Sequence, residues 1–468
     1  MPSGEYTPIP GDDDEAGAEE RGGIEPSLKL TTLDRTIDLI GMGRYQWRLM
    51  LLCGLGWMSY NMWMQTIAII LPRVQEQFSI SDNYIGTLSS SAFAGIMIGS
   101  VGWGTYSDLK GRRMPFYATL LLASMIGFLS SVVRSFTSLC IAMFFLGSAF
   151  GGSMPTDGTL FHEHLPSGRH FLVTLLSVFF SFGSVVSACV ALLVIPGHLC
   201  PPAPAECDPT AQHVGWKYLL RCIATLTLAM FVARLTYLKL HESPRYLVHA
   251  GRQKDAVEVL QSIAQFNGEA ISLSVDDVQD GTAPPHRHLA DTFSIGALSD
   301  RITLALAPEW RRTTVLVWII WFGMSLSFTM FNTYLPKVLE GKSNSGTPNE
   351  TPVDVTASLW SVLTWALGGC PGAILGAYLV ESPFGRRQSL AGSIFVTAFC
   401  CILFMITESL WLVRASTAAI SLTSAVMWSI LYGWTPGIFS TRVRGSATGI
   451  ASALSSMQVS HHLLHTPF

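Results

Sequence analysis

Apolar residues fall in long runs along this chain, separated by short polar breaks, and most of the runs have the length of a bilayer crossing. About 20 apolar residues in helical form cover a hydrocarbon core. On that basis spans are predicted at about 48–71, 85–106, 114–133, 137–160, 171–196, 216–239, 313–335, 356–380, 389–408 and 411–434, with a weaker eleventh candidate from about 446. The longest polar break, about 240–312, follows the sixth span. Within it, Ala256, Val259, Leu260 and Ile263 recur at helical spacing. Asp276 to His288 reads as a linker, and Ile295 to Leu306 as a short helix leading into span seven.

The polar breaks differ in charge. Arg44 and Arg48 precede span one, Lys110, Arg112 and Arg113 follow span two, Arg169 follows span four and Arg245, Arg252 and Lys254 follow span six. Arg386 and Arg387 follow span eight, and Arg442 and Arg444 follow span ten. The alternate breaks carry few cations: Arg73, Arg134, Lys337 and Lys342. Cations concentrate on the cytosolic side of membrane proteins, which places the N-terminus in the cytosol. Composition agrees: of 468 residues 49% are apolar and only 13% charged, against about 25% charged in soluble domains. The net charge of -3 averages an acidic start with basic loops. No stretch reads as a nucleic-acid-binding patch, and the lipid bilayer is the expected environment. Residues 1–42, with the acidic run Asp12 to Glu15, are expected to form a disordered cytosolic tail.

Two elements repeat. Leu71-Pro72-Arg73-Val74 at the end of span one matches Leu335-Pro336-Lys337-Val338 at the end of span seven, and Gly111-Arg112-Arg113 matches Gly385-Arg386-Arg387. Two halves in parallel orientation are a plan used by transporters. Cys200 and Cys207 bracket the Pro-rich stretch Pro201 to Pro204, predicted to be non-cytosolic; a disulfide and two free thiols are both open.

Four motifs, in order and each at the predicted cytosolic face, resemble those of the major facilitator superfamily. They are Gly104-x-x-x-Asp108-x-x-Gly111-Arg112-Arg113, Glu163-x-x-Pro166-x-x-Arg169, Glu242-Ser243-Pro244-Arg245, and Arg442-x-Arg444-Gly445. Gly43-Arg44-Tyr45-Gln46-Trp47 resembles the synaptic-vesicle-protein-like and organic-ion branch, including its fungal members, beside the sugar-porter features. The resemblance implies an all-α polytopic fold of two pseudo-symmetric six-helix bundles, 43–239 and 313–468, joined by a cytosolic linker at 240–312. It implies a secondary active transporter moving a small solute (a sugar, organic ion or anion) by alternating access. In the family the hairpin motifs latch the bundles together. Here that role would fall to Gly104, Asp108, Gly111, Arg112, Arg113, Glu163, Arg169, Glu242, Arg245, Arg442 and Arg444, with Glu381, Arg386 and Arg387 as the second-half counterpart. For Arg112 and Arg113 a purely topological role is the alternative.

The chain departs from that pattern in several places. Tyr60 stands where relatives commonly carry an acid, Glu381 lies four residues before Gly385 rather than three, and Gly437 and Ser440 replace the usual Glu and Pro. The family plan has twelve spans, whereas Phe468 falls within what reads as the eleventh. The second bundle is therefore expected to be truncated, and a non-transporting receptor or inactive form of the same fold is the alternative function.

Ionisable groups inside spans are costly unless they face a cavity or a partner. Asp157 is the candidate acid for proton coupling, or a helix-end carboxylate. Arg221 either faces an anionic solute or snorkels, and Arg234 is expected to snorkel toward the surface. Cavity candidates are Trp57, Tyr60, Asn61 and Gln65 in span one, Trp321, Ser325, Phe328 and Asn332 in span seven, and Trp428 and Tyr432 in span ten. Aromatics interleaved with amides suit a small-molecule solute held by stacking and hydrogen bonds, although outward packing against lipid accounts for single aromatics equally well. No phosphate-binding loop, nucleophile–base pair or metal-ligand spacing occurs, so no enzyme activity, cofactor or metal is expected. The expected partners are a solute and protons, in a monomer of the plasma or vacuolar membrane.

Overall fold

The computed structural model describes residues 31–198, 214–278, 295–308, 310–343, 355–407, 410–439, 441 and 443–465. Among them no strand occurs. Cys200, Cys207, Arg442 and Ser440 lie outside the described residues, as do residues 1–30 of the tail.

The long helices are α2 (Arg44–Phe78), α3 (Asp82–Lys110), α4 (Arg113–Ser130), α5 (Phe136–Phe150), α6 (Ser153–Glu163), α7 (Phe171–Val194) and α8 (Gly215–Tyr237) in the first half. In the second half they are α12 (Arg311–Ser343), α13 (Val355–Glu381), α14 (Gly385–Ile406), α15 (Leu410–Ile438) and α16 (Arg444–His465). Between the halves run α9 (Pro244–His249), α10 (Gln253–Asn267) and α11 (Ile295–Ala305). Eight stretches are long and apolar enough to cross a membrane: α3, α4, α5 with α6, α7, α8, α13, α14 and α15. Helices α2 and α12 are longer, at 35 and 33 residues, but stand outside that set. Their apolar runs are interrupted by polar positions such as Asn61, Gln65 and Ser325, which turn out to face a cavity. The weak eleventh candidate is a helix of 22 residues, α16, packed along α3 and α12.

Two expectations need correction here. Thr32–Ile40 of the supposed disordered tail is a helix, α1, closed by a capping box: Asp34 N–H donates to Thr31 Oγ1 and Thr31 N–H to Asp34 Oδ2. Leu33, Ile37 and Ile40 bury its apolar face, so the signal was present in the sequence. Span four, expected to be continuous, breaks at Gly151-Gly152 into α5 and α6. The break lies against α3, where a Cβ on Gly152 would sit 2.3 Å from Trp103 Cδ1 and one on Gly151 would sit 2.8 Å from the Ile96 backbone.

Inside lipid there is no hydrophobic drive between helices, so close backbone approach carries much of the association. The interface of α3 with α5 is built this way: a Cβ on Gly95 would meet Phe144 O at 1.9 Å, and one on Gly99 would meet Ser148 O at 2.2 Å. The halves meet along two seams, α3 on α16 and α7 on α13. The first seam is again backbone on backbone, since a Cβ on Gly104 would lie 2.4 Å from Gly445 O. Because the opposing atoms are main chain, neither side can yield. Gly99→Leu is therefore expected to abolish the monodisperse peak of the detergent-solubilised protein in size-exclusion chromatography, overpacking of this kind costing about 1–3 kcal/mol or more. Gly102→Ala, which meets nothing within 4 Å, is expected to leave the peak unchanged.

Candidate functional site

At one end of the α3–α16 seam the chain assembles a network of buried charge. Arg112, wholly buried, holds Glu163 through two bonds, Nε to Oε2 at 3.2 Å and Nη2 to Oε1 at 3.1 Å. Its Nη1 donates to Asp108 Oδ1 at 2.6 Å and to Ser107 Oγ at 3.0 Å. Its Nη2 also donates to the Thr441 carbonyl at 3.1 Å, across to the second half. Arg444, from that half, returns a bond to Glu163 Oε1 at 3.2 Å. Asp108 completes the crossing by accepting the first backbone donors of α16, Gly445 N at 3.1 Å and Ser446 N at 2.7 Å, plus Ser446 Oγ at 2.7 Å. A carboxylate at a helix N-terminus satisfies orphan N–H groups and meets the positive end of the helix dipole. Asp108 thus caps a helix that begins hundreds of residues downstream.

Gly111 has φ +102°, and a Cβ there would lie 2.4 Å from Glu242 Oε2. The left-handed turn and the close approach both call for glycine. Glu242 accepts from the backbone N–H of Arg112 at 2.7 Å and of Arg113 at 3.2 Å, tying the inter-half segment to the hairpin.

Other expected latch members stand apart. Arg169 and the Arg113 side chain are exposed. Arg245 pairs with Asp34 of α1 at 2.5 Å rather than with the central network, while Asp38 accepts from Ser167 N–H at 2.6 Å. Glu381 and Arg387 are exposed and Arg386 is half-buried, in contrast to the wholly buried Arg112 of the first hairpin. Where an acid is usual, Gly437 leaves room for His162, whose Nε2 would lie 3.1 Å from a Cβ there. His162 stacks on His170, ring centroids 4.3 Å apart and planes 6° from parallel. Ser107, Thr441 and Ser446 were not singled out in the sequence, because nothing local distinguishes them from other hydroxyls.

Away from this network the same helices part around a cavity of about 520 Å³. Tyr60, Asn61 and Gln65 of α2, Ser325 and Phe328 of α12, and Trp428 and Tyr432 of α15 line it. Trp57 and Trp321 do not line it. They are buried behind the wall, Trp57 edge-on to Tyr432 at 5.7 Å and Trp321 edge-on to it at 4.7 Å. Asn332 belongs to α12, its side chain outside the described residues. The sequence reading missed Trp365 of α13 and the serines of α7, α13's neighbour α15, and α16, including Ser181, Ser421 and Ser455. A helix periodicity alone does not say which face looks inward.

Asp157 and Arg221 do not line the cavity either. Arg221 is exposed, donating to Ser131 Oγ at 3.2 Å. Asp157 is wholly buried among the first-half helices and pairs with Arg234 at 2.5 Å. Arg234 does not snorkel. It donates to the carbonyls of Leu52 and Phe116, and its guanidinium lies 3.8 Å over the Phe116 ring. The carboxylate holds it in, through a gap left by Gly56, where a Cβ would fall 1.8 Å from Asp157 Oδ2.

Two groups of spanning helices, locked by charge at one end and parted around a cavity at the other, are the architecture of an alternating-access carrier. The chain belongs to the Major Facilitator Superfamily, whose family model matches residues 49–457. The MFS siderochrome iron transporter 1 of Ceriporiopsis subvermispora is 30% identical over 452 residues, spanning 92% of this chain and 84% of that protein. The Synaptic vesicle 2-related protein of Bos taurus is 25% identical, spanning 97% of this chain and 78% of its own length. In fold, the chain superposes on the proton:xylose symporter XylE bound to 6-bromo-6-deoxy-D-glucose with a TM-score of 0.65 at 16% identity, covering 90% of this chain and 88% of that one. The protein is an integral, multi-pass secondary transporter and not an enzyme.

Removing one member of a buried ion pair strands the other, at a cost of about 3–5 kcal/mol, whereas replacing both is far milder. Asp157→Asn and Arg234→Gln are each expected to lower the thermal midpoint of the purified protein by several degrees, and the double variant to recover most of the loss. Additive losses in that cycle would mean the pair is not coupled.

His164, in the turn after α6, is buried, with Nδ1 on the Leu160 carbonyl at 2.9 Å. Burial lowers its pKa from 6.5 to about 4. The folded state therefore refuses a proton that the unfolded chain accepts below about pH 6.5, and stability falls as pH drops from there toward 4. Between pH 7 and pH 5 this amounts to about 2 kcal/mol. The melting temperature of His164→Phe is expected to fall less over that interval than that of the unaltered protein.

Proposed function

We propose that this protein carries a small solute by alternating access, with the Asp108–Arg112–Glu163–Arg444 network as its cytosolic latch and the cavity facing the opposite compartment. One observation carries the reading: the helices that seal at the latch, α3 and α16, are among those that line the cavity farther along their length. Breaking the latch would let the two halves rock and turn the cavity toward the cytosol. Glu163 is the central group, since it bonds to an arginine of each half. The cationic breaks between spans support this orientation, in the plasma or vacuolar membrane. The working unit in this proposal is the monomer.

A cysteine at Gln65 reports the state. In cells, Gln65→Cys should react with a membrane-impermeant maleimide applied from outside, and adding Glu163→Gln should slow that labelling at least fivefold. Equal labelling in both backgrounds would remove Glu163 from the latch.

For protons, this reading uses Asp157. Among the described residues it is the one buried carboxylate inside a span and outside the latch, and its Oδ1 has no hydrogen-bond partner. In proteoliposomes the Asp157→Asn/Arg234→Gln double variant is expected to keep solute counterflow and lose acceleration by an inward proton gradient. Gradient-driven uptake that survives the double substitution counts against proton entry at Asp157.

A further inference from the structure

The walls of the cavity point to the class of solute, an inference that rests on the carrier reading above. Among its described lining residues there is no Asp, Glu, Lys, Arg or His. The charges of the latch are committed to one another, and Asp157 and Arg234 pair with each other away from the cavity. A solute carrying a full charge would surrender its hydration without gaining a counter-ion. Aromatic faces offset only part of that loss for a cation, and among the described lining residues neutral donors such as the Gln65 amide and the Trp428 indole offset only part of it for an anion.

What the wall offers instead is aromatic faces and serine oxygens. Tyr60, Phe180, Phe328, Trp365, Trp428 and Tyr432 surround the space. The serines carry a directional message. Ser177, Ser184, Ser424, Ser429 and Ser455 each donate their hydroxyl proton to a carbonyl three residues back on their own helix, and Ser421 donates to the Trp365 carbonyl. A hydroxyl has one proton and two lone pairs, so a serine already donating to backbone presents acceptors to whatever enters. Asn61 follows the same rule, its Nδ2 donating to the Phe180 carbonyl at 2.8 Å and its Oδ1 left to accept. Serines on α7, α15 and α16 thus bring acceptors to the same wall as the rings, Phe180 sharing α7 and Trp428 and Tyr432 sharing α15 with them. The volume, about 520 Å³, falls within the range of sites that hold drug-sized ligands.

We infer that the transported solute is an uncharged ring compound, larger than a simple metabolite fragment, that brings several O–H or N–H donors on its edge and an apolar face for stacking. Recognition comes from donors on the solute meeting serine oxygens, and selectivity against ions comes from the missing counter-charge.

The test uses matched trios of probes on the purified full-length chain. Each trio holds a neutral ring compound with several hydroxyl or N–H donors, such as a nucleoside or an aryl glycoside, its amine derivative and its carboxylate derivative. Titration calorimetry is expected to give a Kd for the neutral member at least tenfold lower than for either charged member. Ser184→Ala and Ser424→Ala, whose hydroxyls bond only within their own helices, are expected to weaken neutral binding three- to tenfold with the thermal midpoint unchanged. A charged member that binds as tightly as its neutral parent overturns the inference, as does failure of every neutral member to bind. Neutral binding without flux in proteoliposomes would overturn the carrier reading and leave only the cavity's preference for a neutral ring compound standing.

Discussion

A charge taken out of water must find an opposite charge or several dipoles, and this constraint organises the molecule. Arg112, Asp108, Glu163, Asp157 and Arg234 are all essentially shut off from solvent. Each could be buried only because another was buried beside it, so the helices that carry them had to meet in one arrangement. Glu163 illustrates the economy of the result. Its two oxygens are spoken for by arginines from opposite halves, and removing it takes a carboxylate from both, leaving Arg112 to Asp108 alone. A lock of this kind is strong when every member is present and fails as a unit when one is withdrawn, which is the behaviour a gate needs.

The two ion-pair systems divide the labour. Asp157 and Arg234 lie within one half and hold its helices together, with Gly56 shaped to let them close. Asp108 and Arg112 reach across, and what they grip is largely backbone: the start of α16 and the Thr441 carbonyl. Backbone groups have fixed directions, so the grip is lost with a small rotation of one half against the other. The internal pair has no such sensitivity.

Much of this was legible in the sequence because the relevant signals are local. Span lengths, the hairpin Gly104 to Arg113, the carboxylates Glu163 and Glu242, and the inward-looking Tyr60, Asn61, Gln65, Phe328, Trp428 and Tyr432 all stand where their motifs or helical positions suggested. Most of the failures share a cause, since they turned on which neighbour a side chain meets. Arg234 was expected to reach for water, but a carboxylate one helix away holds it. Trp57 and Trp321 were expected at the wall and serve as its backing. The serines of the cavity passed unnoticed, because a serine in a spanning helix looks the same whether it faces a void, a neighbour or lipid. The helix at Thr32–Ile40 was hidden by the acidic stretch before it, although its capping box was there to be read.

That short helix has a mechanical meaning. Its acids hold Arg245 and the Ser167 amide, and Thr36 bonds to the Asp277 carbonyl at 2.7 Å. Near it, Asn267 at the end of α10 accepts from Tyr45 N–H at 2.9 Å. All of these anchors belong to the first half or to the segment that follows it. Helices α9 and α10 are therefore bolted to the first half as added mass, a widened foot on the moving body, while α11 packs on α16 of the second half.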